Sequence, residues 1–269
     1  MADPAGAGRP RRAGASNAKV KLASTVPDPP AVLHITPVTW KAGTALHRVH
    51  LGVYAAEAFN PGIKGNARFS PIVNAAGKPI PTLYGGTSFE CAAMETVFHD
   101  VPFAAGLKTF AKHKFEGQLH SVLATKAALT LADLRNVPLR KLGVERKQLI
   151  DTEKDTFGQT RKWAAAIHAK HAQIQGLCWT TRQDANVMAV MLFGDRIGAG
   201  VLTRQGPSRT LLDDGPAYME LLSLADMIGV QVVCVFRSIV TARFGIVTAE
   251  FGNVTDRFGD VTGGVLMAV

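Results

Sequence analysis

The chain has 269 residues, of which 47% are hydrophobic and 19% are charged, and its formal net charge at pH 7 is +9. This length and composition are sufficient for a well-buried core without disulfide or metal staples. The sequence has no uninterrupted apolar run of about 18 residues, as a transmembrane helix requires, and no apolar segment of a secretory signal follows its basic N-terminus. We therefore expect a soluble, cytoplasmic protein that does not contact a membrane.

The three cysteines follow neither a disulfide pattern nor a metal-binding pattern. Cys91, Cys178 and Cys234 are far apart in the chain, and each lies within an apolar run. Such cysteines are typical of buried thiols in a cytosolic protein. We expect three buried, reduced cysteines and no metal site.

The excess of positive charge is compatible with an acidic partner, a phosphorylated substrate or nucleic acid. Basic residues outside the N-terminal segment alternate with acids, and no RNA-recognition aromatics, zinc knuckle or helix-turn-helix pattern accompanies them. Nucleic-acid binding is therefore not expected on its own. A non-catalytic protein that binds nucleic acid or a partner through its basic tail stays as an alternative. The basic residues of that tail are Arg9, Arg11, Arg12, Lys19 and Lys21.

The chain is expected to consist of a tail and one domain. Residues 1–30 are polar and rich in small residues, and Pro27-Asp28-Pro29-Pro30 ends the segment. We interpret them as a disordered basic tail, because this composition does not bury a core. Residues 31–269 contain no second linker and are interpreted as a single domain, whose first strands are expected at 31–35 and 47–50.

The clearest predicted helix covers residues 87–100. Its first four residues have the spacing of a capping box, which places the helix start at Thr87. Helical periodicity then places Glu95 on the same apolar stripe as Cys91 and Phe98. An unpaired carboxylate in apolar surroundings is energetically costly. Glu95 therefore requires a partner or a ligand.

The second half of the chain mixes helices and strands without a regular βαβ repeat. Helices are expected at 160–171 and 217–228, strands at 177–181, 187–193 and 231–236, and a polar turn at 182–186. This order favours the α+β class, with a central sheet that is mixed or largely antiparallel and is flanked by helices.

Two sequence blocks before the predicted helix combine glycines with charged and aromatic residues. They are Gly65-Asn66-Ala67-Arg68-Phe69 and Leu83-Tyr84-Gly85-Gly86, and Glu95 follows them. An arginine after a Gly-rich approach, a tyrosine in a tight Gly turn and a carboxylate on an apolar face are not explained by packing alone. Together they indicate a pocket for an anionic, ring-bearing ligand.

The order and spacing of these blocks resemble the RES family, named for an Arg, a Glu and a Ser. The resemblance covers approximately residues 46–193. The family serine falls at Thr181 or, less favourably, at Thr180, which keeps the hydroxyl and adds a methyl. Val49 stands where some members have an aromatic residue. The matching residues are Arg48, Arg68, Phe69, Leu83, Tyr84, Glu95, and the ranges 163–167 and 176–181.

The resemblance implies an NAD-degrading toxin of a bacterial toxin–antitoxin pair, neutralised by a cognate antitoxin. It implies a split, mixed sheet related to the ADP-ribosyltransferase-like fold of NAD-cleaving toxins, with NAD in the cleft between its halves. The implied reaction cleaves the nicotinamide–ribose bond with water, as an NAD glycohydrolase, or with inorganic phosphate as co-substrate, as an NAD phosphorylase. NAD is then a substrate and no cofactor is needed. The oligomeric state stays open, a homodimer included.

The resemblance also gives roles to individual residues. Glu95 would stabilise the positive charge that develops on the ribose when nicotinamide leaves. Arg48 and Arg68 would clamp the pyrophosphate of NAD or hold the incoming phosphate. Tyr84 would stack on the nicotinamide ring, and Thr181 would bond the nicotinamide amide or a ribose hydroxyl. The predicted catalytic residues are thus Glu95, Arg48 and Tyr84, and the predicted substrate-binding residues add Arg68 and Thr181.

Other interpretations of the same residues stay open. Arg48 is compatible with a surface ion pair, and Arg68 with a pair to Asp100 or Glu57. An ADP-ribosyltransferase that modifies a macromolecule is an alternative enzyme, but transfer usually uses a second acid two positions before the catalytic glutamate, where this chain has Ala93. Four histidines without a nucleophile partner or ligand pattern are interpreted as structural: His47, His50, His99 and His168.

Overall fold

A computed structural model describes residues 26–62, 64–102, 104–181 and 187–234. These residues form thirteen β-strands and five α-helices, with short 3₁₀ turns between them. The strands are β1 (Pro37–Trp40), β2 (Ala45–Leu51), β3 (Ile72–Val73), β4 (Pro79–Ile80), β5 (Thr82–Gly86), β6 (Lys108–Ala111), β7 (Gln118–Thr125), β8 (Leu129–Asp133), β9 (Gly176–Thr180), β10 (Met188–Phe193), β11 (Leu202–Arg204), β12 (Arg209–Thr210) and β13 (Val230–Val233). The helices are α1 (Phe89–Met94), α2 (Asn136–Leu142), α3 (Arg146–Leu149), α4 (Phe157–Lys170) and α5 (Gly215–Met227).

Nine strands form the central sheet. Its order is β1-β8-β9-β10-β5-β2-β7-β11, and β12 also pairs with β7. The β8–β9 pair is parallel, whereas the other pairs of this sheet are antiparallel. Two small sheets, β13–β6 and β3–β4, lie beside it. The predicted α+β class with a mixed sheet and flanking helices is confirmed.

The central sheet is nearly divided between β2 and β5. The register of these two strands consists of a single pair, His47 with Gly86. By contrast, β2 pairs with β7 along its whole length, from Ala45 to Leu51. The sheet therefore consists of two halves, one ending in β5 and the other beginning with β2, as the predicted split sheet requires.

The two faces of the sheet bury different apolar clusters because side chains alternate along each strand. On one face, Leu177 and Trp179 of β9 pack in a cluster with Trp163 of α4. On the opposite face, Cys178 packs in a cluster with Leu83 of β5. Helices α1 and α5 cover a third cluster. The side chains of Leu177, Cys178 and Trp179 therefore alternate between the two faces.

The N-terminal boundary of the domain differs from the prediction. The Trp163 indole donates a hydrogen bond to the Pro27 carbonyl at 2.8 Å, and Lys162 forms an ion pair with Asp28 at 2.8 Å. Val26 is buried in the α4 cluster. Residues 26–30 therefore pack on α4 and belong to the domain, whereas the rest of the predicted tail lies outside the described residues.

Two further expectations are corrected and one lies outside the structure. Residues 31–35 form no strand, although Leu33 and Ile35 are buried. The first strand is β1. Cys91 and Cys178 are buried free thiols, but Cys234 is exposed. The predicted turn at 182–186 lies outside the described residues. Within those residues, no helix has the length and apolar character needed to cross a bilayer.

Candidate active site

Tyr84 lies in the middle of β5, not in a turn as predicted. A Cβ atom on Gly86 would lie 2.3 Å from the Cys91 sulfur of α1, and one on Gly85 would lie 2.6 Å from Leu46. The two glycines are therefore needed for close approach to both faces of the strand rather than for a turn. As a result, Cys91 of α1 packs directly against Gly86 of β5.

The Tyr84 side chain connects the sheet to the Arg68 segment. Its hydroxyl accepts a hydrogen bond from the Phe69 amide at 3.1 Å. Its ring lies edge-on to Trp179, with the ring centres 6.3 Å apart, and Trp179 also contacts the Phe69 ring at 5.1 Å. Burial raises the pKa of Tyr84 to about 12. Tyr84 is therefore a neutral phenol at physiological pH.

Helix α1 is shorter than predicted, and this changes the position of Glu95. The Ser88 hydroxyl caps the helix by accepting from the Cys91 amide at 3.1 Å, whereas Thr87 accepts from the Met188 amide of β10. The helix ends at Met94, and Glu95 is its C-cap. The predicted helix 87–100 is thus wrong at both ends, because Thr87 still bonds to β10 and the chain turns after Glu95.

Glu95 forms a buried ion pair with Arg68. The Arg68 Nη1 atom lies 3.5 Å from the Glu95 Oε2 atom, and the two side chains are 6% and 11% exposed. The guanidinium carbon is 5.6 Å from the centre of the Phe157 ring, and the Arg68 carbonyl accepts from the Thr160 hydroxyl. Helix α4 therefore contacts Arg68 through the Phe157 ring and the Thr160 hydroxyl.

The Arg68–Glu95 ion pair does not use all the hydrogen-bond donors of Arg68. The Arg68 Nε atom is buried and has no hydrogen-bond partner. Native proteins rarely leave a buried donor unpaired, and such a donor calls for an explanation such as a bound group. The spare N–H donor of Arg68 can bind an anionic group of a ligand. The nearly buried Glu95 carboxylate can stabilise positive charge on the same ligand.

Thr181 lies one residue beyond β9, on the face that carries Tyr84. Trp179 is paired with Ala189, and Ala189 with Gly86, so these residues share one face. Thr181 is two residues after Trp179 and continues the ladder by donating its amide to the Val187 carbonyl at 3.2 Å. The Thr180 hydroxyl, the alternative in sequence, accepts from Arg146 instead. Arg68, Tyr84 and Glu95 therefore lie close together, and Thr181 lies on the same face of the sheet as Tyr84.

Arg48 is not part of this group. His47 pairs with Gly86 and shares the face of Tyr84, so strand alternation directs Arg48 to the opposite face. Its Nη1 atom donates to the carbonyls of Ala56 and Ala58, at 2.5 and 2.8 Å. Burial lowers the pKa of Arg48 to about 10, which leaves it charged at pH 7. Arg48 holds a loop on the face opposite to Tyr84, and its part in a clamp with Arg68 stays a prediction.

The structural partners considered for Arg68 bond elsewhere. Glu57 accepts a hydrogen bond from the Arg204 amide at 3.1 Å. Asp100 is paired with Lys154 at 2.6 Å and with His99 at 2.9 Å. Neither acid is in contact with Arg68, and its ion pair is with Glu95.

The sequence reasoning missed two residues near this group. Phe157 lies against the Arg68 guanidinium. In the sequence it precedes residue 160, where the helix was expected to begin. Arg146 binds the end of β9 and left no sequence signal, because its partners are 34 and 35 positions away. For Phe157 the sequence did contain a signal, since it is an aromatic residue just before the predicted helix.

One of three comparisons with known proteins identifies the family of the chain. No curated protein matches the chain. A chain in the crystal structure of the M. tuberculosis MbcT–MbcA toxin–antitoxin complex is similar at 14% identity, with a TM-score of 0.48, over 69% of this chain and 92% of that chain. The family model described as the RES domain matches residues 45–213, more than half of the sequence. The chain therefore belongs to the RES domain family.

Proposed function

We propose that this protein cleaves the bond between nicotinamide and ribose in NAD, as an NAD glycohydrolase or an NAD phosphorylase. The observation that carries the proposal is the buried, incompletely satisfied pair of Arg68 and Glu95 on the sheet face of Tyr84 and Thr181. Membership of the RES family supports it.

The chemistry of the reaction fits a carboxylate in this position. Nicotinamide leaves as a neutral ring and takes the electron pair of the glycosidic bond, so positive charge develops on the ribose. A fixed carboxylate beside the sugar stabilises that charge more than it stabilises the ground state. Glu95 is fixed by its cap position and by Arg68, and this restraint keeps its orientation during the reaction.

Arg68 supplies the anion-binding group of the proposed site. A guanidinium has five N–H donors, and Arg68 has a buried donor without a partner. It can bind the pyrophosphate of NAD or, in the phosphorolytic reaction, the incoming phosphate. Arg48 is not assigned to this task, because it lies on the opposite face of the sheet.

Tyr84 and Thr181 are proposed to orient the nicotinamide end of the substrate. Tyr84 is neutral and its ring is held by Trp179, so it offers an aromatic surface without charge. Thr181 offers a hydroxyl on the same face. With water as acceptor the products are nicotinamide and ADP-ribose, and with phosphate they are nicotinamide and ADP-ribose 1″-phosphate.

The cellular role follows from the chemistry. An enzyme that consumes cytosolic NAD is toxic to its own cell, so we propose that a cognate antitoxin covers the site. Transfer of ADP-ribose to a macromolecule is less favoured. The position two residues before Glu95 is Ala93, a completely buried residue of α1 that carries no acid to activate an acceptor.

The proposal is tested by incubating the purified protein with NAD, with and without inorganic phosphate. We expect loss of NAD and release of nicotinamide, and the ribosyl product identifies the acceptor. Product without phosphate indicates hydrolysis, and a requirement for phosphate indicates phosphorolysis. Intact NAD under both conditions, with a folded protein free of antitoxin, would refute the proposal.

A further inference from the structure

Arg146, the first residue of α3, binds the end of β9. Its Nη2 atom donates to the carbonyls of Thr180 and Thr181, at 3.1 and 2.8 Å, and its Nη1 atom donates to the Thr180 hydroxyl. Its Nε atom donates to the Asp151 carboxylate at 3.0 Å. The Arg146 guanidinium therefore joins Thr180 and Thr181 to Asp151, which lies between α3 and α4.

These contacts act at the point where sheet pairing ends. Beyond Thr180, the ladder continues through the bond from the Thr181 amide to the Val187 carbonyl. A guanidinium is planar and its donors are fixed relative to one another, so contacts with two successive carbonyls fix the direction of the peptide unit between them. The orientation of this unit determines where the Thr181 side chain points.

Asp151 holds the guanidinium on its other side. Its Oδ2 atom accepts from Arg146, while its Oδ1 atom is buried and lacks a hydrogen-bond partner. The use of the Thr180 hydroxyl as an acceptor for Arg146 also leaves Thr181 as the threonine that serves the site face.

We infer that Arg146, held by Asp151, is a positioning residue that sets the orientation of the Thr181 hydroxyl in the site. This inference rests on the proposed NAD cleavage for its kinetic consequence. Its structural consequence, the restraint of the Thr181 peptide unit, is independent of the reaction.

The kinetic test is a double-mutant cycle with Arg146→Lys and Thr181→Val. Lysine keeps the charge beside Asp151 but has a single ammonium, which does not reproduce the planar fork. We expect Arg146→Lys to lower kcat for NAD cleavage by about 10- to 100-fold with little change in KM, as misplacement of a group that orients the substrate does. If Arg146 acts through Thr181, the double variant loses little more than Thr181→Val alone.

Arg135→Lys is the matched control. Arg135 also binds a carboxylate through a fork, with its Nε atom 2.9 and 3.0 Å from the two Asp133 oxygens, but it does not contact Thr180 or Thr181 in the described structure. We expect its effect to be small and additive with that of Thr181→Val. Additive effects of Arg146→Lys and Thr181→Val, or full activity of Arg146→Lys, would overturn the inference.

Hydrogen exchange gives a second readout that does not depend on activity. Arg146→Lys should accelerate exchange of the Thr181 amide at least threefold, while amides of β8 stay unchanged. If wild-type protein does not cleave NAD, the proposed function fails, and this measurement alone decides whether Arg146 positions Thr181. Unchanged exchange would then refute it. If Arg146→Lys does not fold, Asp151→Asn takes its place in both experiments.

Discussion

Arg48 and Arg68 are almost equally buried, at 9% and 6% exposed, but their surroundings differ. Arg48, on one face of the central sheet, donates to the carbonyls of Ala56 and Ala58. Arg68 is associated with the other face, 3.5 Å from Glu95 and with an unpaired Nε atom. Backbone carbonyls are permanent partners, whereas a loose ion pair with a spare donor can accept a further ligand.

The comparison shows how a structural arginine differs from a candidate binding arginine. Burial and charge do not distinguish them, because both side chains are removed from water. The distinguishing feature is the number of donors that the fold itself satisfies. The predictions below therefore separate stability from substrate binding, in order of decreasing expected effect.

The largest effect is expected for Glu95→Gln. The amide keeps the size of the side chain but does not stabilise positive charge on the ribose. We expect NAD cleavage to fall by at least about 100-fold, equivalent to about 2.7 kcal/mol, with the variant still folded. Steady-state kinetics and circular dichroism measure the two properties. Wild-type activity of this variant would remove Glu95 from the mechanism.

The two arginines should differ in how their replacement by alanine affects NAD cleavage. Arg48→Ala should lower the free energy of unfolding by about 2–3 kcal/mol, because one buried and one partly buried carbonyl lose a charged donor. Arg68→Ala also lowers stability, since Glu95 loses its buried partner, but it should in addition weaken substrate capture by about 1.5–3 kcal/mol in kcat/KM. Denaturant titrations and NAD kinetics on both variants provide the measurements. A similar loss of stability and unchanged kinetics in both would abolish the distinction between the two arginines.

A smaller effect is expected at Thr181. Thr181→Val preserves shape and removes the hydroxyl, so we expect a loss of about 1–3 kcal/mol of transition-state stabilisation. Thr181→Ser should keep or raise NAD cleavage. Thr180→Val and Thr180→Ser serve as controls, and we expect Thr180→Val to cost less than Thr181→Val. A loss confined to Thr180→Val would mean that the site uses the other threonine.

The smallest effect is expected for the pH dependence of stability, through His50, which lies on the same face of β2 as Arg48. Burial lowers the pKa of His50, and the nearby Arg48 charge lowers it further, although the bond to the Leu51 carbonyl raises it. In the folded protein His50 is therefore neutral, with its Nε2 atom 2.8 Å from the Ser121 hydroxyl. The unfolded chain takes up the proton below about pH 6.5, so stability decreases as pH falls through that value.

Melting temperatures at pH 7.5 and pH 5.0 measure this decrease. His50→Gln should reduce the difference between the two temperatures, because a glutamine amide does not titrate. His34 is exposed, so His34→Gln is the matched control and should leave the difference as it is in the wild type. An unchanged difference in His50→Gln would show that His50 does not contribute to the pH dependence.

Much of the fold was predictable because local sequence determines it. The expected strand 47–50 lies within β2, and the expected helix 160–171 and strand 177–181 overlap α4 and β9. Apolar periodicity and β-branched composition report these elements directly. The ends of α1 were not predictable, since Thr87 bonds to Met188 of a strand that is distant in the chain.

The sequence by itself determined the family, the α+β class and the identities of Arg68, Tyr84, Glu95 and Thr181 as candidates, because residue types and their order are properties of the chain. Which arginine joins them was decided by the tertiary structure. A single pair between β2 and β5 places Arg48 on the face opposite to Tyr84, because it fixes the face on which each side chain of β2 lies. A shift of one residue would reverse that face, and register depends on partners far away in sequence.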